Sequence, residues 1–132
     1  MTKSKGLRMT GIEGLTMTRQ NKKETTKGTD YIVVLITAGS EKEAHMIAEL
    51  LVSQKKAACV NIVPRVGSLF LWKGKLDSVQ ESLLLVKTKA SLFSEIINLI
   101  KTIHSYEVPE IIALPIIAGS EDYLKWLNDA CQ

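Results

Sequence analysis

The spacing of apolar residues becomes regular at Tyr31. From there, short β-branched runs alternate with stretches in which apolar side chains recur every three or four positions. Tyr31-Ile32-Val33-Val34-Leu35-Ile36-Thr37 has the length and character of a strand and is closed by Gly39. Ser40-Glu41-Lys42-Glu43 then has the form of a capping box, the serine hydroxyl accepting from a free amide while the glutamate reaches back. Ala44, Ile47, Ala48 and Leu51 follow at helical spacing, and the cations at Lys55 and Lys56 suit the helix C-terminus. Ala58 to Val63 predicts a second strand, interrupted by Pro64, because proline cannot donate to a ladder and marks a bend or bulge. Ser68–Trp72 extends again, Lys73-Gly74-Lys75 is a turn signal, and Gln80–Thr88 predicts the returning strand of a hairpin.

A second amphipathic helix is predicted from Ser91, with Phe93, Ile96, Ile97 and Ile100 on one face. Pro109 holds Val108 extended and stops the helix from continuing. Ile111–Ile117 predicts a fourth strand, with Pro115 near its end marking an edge or a bulge there. Gly119-Ser120 opens a last helix carrying Tyr123, Trp126, Leu127 and Ala130. Ala-Gly-Ser-Glu occurs at 38–41 and at 118–121, two copies of one strand-to-helix solution of glycine turn plus N-cap. The order β-α-β-β-α-β plus a C-terminal helix predicts an α+β fold, the ferredoxin-like split βαβ sandwich with helices on one face of an antiparallel sheet. The strands are apolar on both sides, so the second face also needs cover, most easily from another copy of the chain. The hairpin tip, Leu71–Asp77, reaches past what one small domain covers, and Phe70, Leu71 and Trp72 on its arms invite pairing between subunits.

Composition narrows the function classes. At 132 residues there is room for one domain, and 45% hydrophobic with 23% charged residues is an ordinary globular balance. The net charge of +3 is unevenly spread: residues 1–29 hold seven Lys/Arg against two Glu, leaving the remainder at −2. The domain itself is therefore mildly acidic, which argues against a nucleic-acid partner. Residues 1–29 read as a disordered basic leader or tag, with contact to an anionic surface or transit to an organelle as the alternatives. No apolar run approaches the ~20 residues of a membrane span. Cys59 and Cys131 have no metal or disulfide spacing, which suits a reducing compartment, and a cytoplasmic location is expected.

Three stretches together resemble the CutA family of divalent-cation tolerance proteins. They are Ala57-Ala58-Cys59-Val60-Asn61-Ile62-Val63-Pro64, Ser68 with Phe70, Trp72, Gly74 and Lys75, and His104-Ser105-Tyr106-Glu107-Val108-Pro109-Glu110. Glu81, Lys87-Thr88, Leu114-Pro115, Gly119 and Tyr123–Leu127 extend the resemblance over 31–127, so that 30–132 reads as a CutA-like domain. The resemblance implies a compact homotrimer in which the long hairpins pair between subunits, an architecture similar to the PII signalling proteins. It also implies a role in tolerance of copper or another divalent cation. Where a copper site has been proposed in the family, a cysteine ends the first strand and two histidines close the second helix. Ile36 and Ile103 occupy two of those positions here, and His104 matches the third.

The metal candidates are accordingly His104 with Glu107 and Glu110 as oxygen donors. Pro109 breaks the spacing that helical metal motifs use, and a histidine at a helix C-terminus can equally serve to satisfy free carbonyls. Trp72, Glu81, Lys87 and Tyr106 are the candidates for a ligand site in a cleft between subunits. The same residues have plainer readings, Trp72 as an interface anchor and the charges as mutual partners. No nucleophile–base arrangement or glycine-rich nucleotide motif is present, so the sequence predicts a binding protein and not an enzyme. A signalling or scaffold trimer holding a small ligand or partner protein is the alternative to metal tolerance.

Overall fold

The computed structural model describes residues 30–132, and the basic leader expected over 1–29 lies outside the described residues. The chain runs through β1 (Tyr31–Ala38), α1 (Glu41–Ser53), β2 (Cys59–Trp72), β3 (Lys75–Lys89), α2 (Phe93–Ile103), β4 (Ile111–Pro115) and α3 (Glu121–Ala130). All strand pairs are antiparallel and the sheet order is β2-β3-β1-β4. This is the ferredoxin-like split βαβ topology that the element order predicts. Among the described residues no helix is long and apolar enough to cross a membrane.

Period-two alternation sends Ile32, Val34, Ile36 and Ala38 of β1 and Leu84 and Val86 of β3 to one face of the sheet. There they pack against Ala44, Ile47 and Leu51 of α1 and Ile96 and Ile100 of α2. Each buried Val, Leu or Ile side chain among them stabilises the fold by about 1.5–3 kcal/mol. The repeated tetrapeptides behave alike: Ser40 Oγ accepts from Glu43 N at 3.1 Å and Ser120 Oγ accepts from Tyr123 N at 3.2 Å.

The expected elements shift at three places. β2 runs unbroken through Pro64 because it is an edge strand and absorbs one extra residue as a bulge: Val63 pairs with Leu83, and the next pair is Val66 with Glu81. Inside the bulge Arg65 takes the left-handed conformation, φ +54°. The hairpin arms meet at a two-residue turn, Lys73 (φ +53°) and Gly74 (φ +82°), the double positive φ of a type I′ turn. A 3-10 turn, Ala90–Leu92, takes the first residues of the expected second helix, and β4 stops at Pro115, two residues short of Ile117.

The face of the sheet away from the helices carries Val33, Leu35, Leu85, Ile112 and Leu114, and the last two are each 49% exposed. Lys87 lies on it, its ammonium donating to Asn61 Oδ1. Leu69, Leu71 and Leu76 at the hairpin tip are largely exposed.

Candidate functional site

β1 ends opposite Ser82, so the β3 arm beyond it loses its neighbour on that side. The segment after α2 fills the corner. His104 caps α2 in an extended conformation, and bends over 105–108 turn the chain back towards the end of β1. Tyr106 projects over Gly39, where a Cβ would stand 3.4 Å from the phenol ring and hydroxyl, and its hydroxyl donates to Glu81 Oε2 at 2.7 Å. Ser68 Oγ, from the opposite hairpin arm, donates to Glu81 Oε1 at 2.6 Å. Glu81 is thereby 8% exposed, with each oxygen held by a hydroxyl. Burial, the hydrogen bond to Glu81 and the charges of Glu81 and Glu43 push the Tyr106 pKa up to about 12.

On the other side of Tyr106, Glu43 ties α1 to the same segment. Its carboxylate accepts from the Ser105 amide at 2.8 Å, the Ser105 hydroxyl at 3.0 Å and the Gly39 amide at 3.1 Å. Burial alone would raise its pKa. The two amides, the Ser105 hydroxyl and the adjacent His104 together outweigh burial and hold the carboxyl below its ordinary value.

The His104 side chain has no solvent exposure. Its Nε2 lies 2.8 Å from the Thr37 carbonyl oxygen, and its Nδ1 accepts from the Tyr106 amide at 3.0 Å. A carbonyl can only accept and an amide N–H can only donate, so the neutral ring carries its proton on Nε2. Neither nitrogen has a lone pair left for a metal. Glu107 and Glu110 are exposed, and among the described residues no three His, Cys, Asp or Glu stand together as a metal site. The metal set His104, Glu107 and Glu110 therefore does not fit a cation in one chain, because the histidine is spent on holding the corner together.

Of the ligand candidates, Glu81 and Tyr106 are brought into contact and the other two are not. Trp72 sits at the hairpin tip, four residues or about 13 Å along β2 from Ser68, with Lys73 Nζ 5.9 Å from its ring centroid. Lys87 lies about 20 Å along β3 from Glu81. Sequence reasoning missed the roles of Glu43, read only as part of a cap, and of Arg65. Pro64 was the available signal for the bulge that places Arg65. Beside Glu81 a cleft of about 410 Å3 opens between the start of α1, the β2 bulge and β3, bordered by Ser40, Glu41, Arg65 and Ser82.

Residues 32–130 match the family model described as CutA1 divalent ion tolerance protein. The chain belongs to this family. The Divalent-cation tolerance protein CutA of Thermus thermophilus is 50% identical over 97 residues, 74% of this chain and 94% of that protein. The Arabidopsis thaliana Protein CutA, chloroplastic, is 42% identical over 107 residues; the match covers 81% of this chain but 59% of the plant protein. Among solved structures, CutA1 from Oryza sativa superposes with a TM-score of 0.77 at 40% identity, covering 80% of this chain and 96% of that one. The CutA1 fold thus spans the whole corner described above.

Proposed function

We propose that this chain works in divalent-cation tolerance as a binding protein and not as an enzyme, with a homotrimer as its working unit. The observations that carry the assembly are the uncovered apolar sheet face and the exposed leucines of a hairpin that no other part of the described chain covers. Closing three such sheets around an axis buries the faces and pairs the open edges. Light scattering on the full chain is the test: three times the 14.6 kDa chain mass is expected, and a stable monomer at micromolar concentration overturns it.

Copper or another divalent cation is the ligand implied by family membership. With His104 committed to Thr37 and Tyr106, a cation held by this chain is not held through that ring. Titration of Cu²⁺ and Zn²⁺ should then give the same isotherm in His104→Gln as in the parent, and a clear loss of affinity would return the histidine to the metal.

The cleft beside Glu81 favours a second reading, a PII-like signalling or scaffold trimer that takes a small ligand there. A cleft of about 410 Å3 lined by Ser40, Glu41, Arg65, Glu81 and Ser82 supports it. A thermal-shift screen with nucleotides, carboxylates and metals separates the two readings, since a ligand of the native state raises its melting temperature. For location we propose the cytoplasm, with organellar import through residues 1–29 as the alternative favoured by the plant relatives named chloroplastic. A reporter fused behind residues 1–29 distinguishes these.

A further inference from the structure

We propose that His104 is an acid-sensitive latch: a second proton on its ring releases Tyr106 and the segment 106–109, and uncovers the Glu81 carboxylate. The latch is independent of the ligand readings above and adds a response to pH.

The segment hangs on one residue. Among the described residues, 106–109 make two hydrogen bonds, both from Tyr106: its amide donates to His104 Nδ1 at 3.0 Å and its hydroxyl to Glu81 Oε2 at 2.7 Å. Bends occupy 105–108, so no helix or strand ladder holds these residues in place. The Tyr106 and His104 rings lie 4.8 Å apart, tilted at 53°, so displacing the Tyr106 backbone displaces the phenol with it. One of the two ties is thus a lone pair that a single proton removes.

The second proton also has a place to go. On Nδ1 it sets N–H against the Tyr106 N–H, and that bond cannot persist. Glu43 Oε2 lies 3.6 Å from Nδ1, just beyond hydrogen-bond range. Burial pushes the Glu43 carboxyl up, but the Ser105 and Gly39 amides, the Ser105 hydroxyl and His104 together hold it below the ordinary 4.5. Glu43 therefore stays ionised down to about pH 5. A small turn of the ring moves Nδ1–H onto Glu43, while Nε2–H keeps the Thr37 carbonyl at 2.8 Å. The buried positive charge is paired and hydrogen-bonded, so the latch opens without unfolding the sheet and helices.

The other charges around the ring do not oppose this. β1 presents only the Thr37 carbonyl, and β3 presents Glu81 behind the Tyr106 phenol. On the adjoining elements, Lys101 of α2 and Glu110 just before β4 are exposed. The chain has one other histidine, His45, exposed on α1. Once Tyr106 leaves, Glu81 keeps only the Ser68 hydroxyl on Oε1, and Oε2 becomes a free acceptor.

The test uses the full chain, with hydrogen exchange resolved by NMR between about pH 7.5 and pH 5 and corrected for the pH dependence of the intrinsic rate. Protection of the Tyr106 amide should fall at least about tenfold on acidification, while the β1 amides keep theirs. The ring signal of His104 should report its protonation over the same step. Carbodiimide labelling of Glu81, measured against exposed Glu110, should rise with it. In His104→Gln the Tyr106 amide should show no such pH dependence. In Glu43→Gln the step should move to lower pH, because the acceptor for the second proton has lost its charge; this variant decides the matter if His104→Gln does not fold. Constant protection, loss shared by the β1 amides, unchanged Glu81 labelling, or a step unaltered by either substitution overturns the proposal.

Discussion

Tyr106 shows how much one hydroxyl carries at this corner. Replacing it with phenylalanine leaves Glu81 Oε2 buried without its 2.7 Å donor, and a buried acceptor left unmade destabilises by about 1–3 kcal/mol. Urea denaturation of Tyr106→Phe should show that loss as a lower midpoint with an unchanged slope. The same hydroxyl governs the alkaline limit. Its folded pKa of about 12 lies above the ordinary 10.0, so its contribution is intact below pH 10 and is lost as pH rises towards 12. Tyr106→Phe should flatten that alkaline decline. Glu43 works in the opposite direction. Its folded pKa lies below the ordinary 4.5, so its contribution is present above pH 4.5 and is lost as acidification passes its folded value. Midpoints measured against pH should show a shallower acid limb in Glu43→Gln, and identical limbs would remove Glu43 from the account.

Among the elements, the hairpin makes the sharpest demand on backbone conformation. A type I′ turn needs positive φ at both central residues; Gly74 meets that without strain, and Lys73 does not. Asparagine tolerates the left-handed region far better than lysine. Lys73→Asn should therefore raise stability by a few tenths to about 1 kcal/mol, read as a higher thermal midpoint. An unchanged midpoint would mean that the Lys73–Trp72 contact at 5.9 Å offsets the strain.

At the scale of the whole molecule, the exposed sheet face separates a stability effect from an assembly effect. Leu114 is 49% exposed in the single chain, so a lysine there is tolerated by the fold, but it places a charge in the proposed interface. Leu114→Lys should keep its circular dichroism spectrum and run at a smaller mass in light scattering. Trp72→Ala should weaken assembly by about 2 kcal/mol or more if the ring is a buried anchor. An undiminished mass in both variants would place the interface elsewhere.

The order of elements was legible in the chain because each rests on local signals. Period-two runs at 31–37 and 80–88, helical spacing from Ala44, the two serine caps and Pro109 act within a few residues of themselves. Even the bulge left a trace in Pro64, although its consequence, a strained Arg65 turned to the head of α1, did not. The corner was settled only by tertiary structure. His104 is committed by a carbonyl 67 residues earlier, Ser105 by a glutamate 62 residues earlier, and Tyr106 by Glu81 on a hairpin arm that β1 stops short of. Such pairs have no periodicity to betray them. A histidine that reads equally well as a ligand or a cap becomes one or the other according to which backbone groups the fold delivers to its two nitrogens.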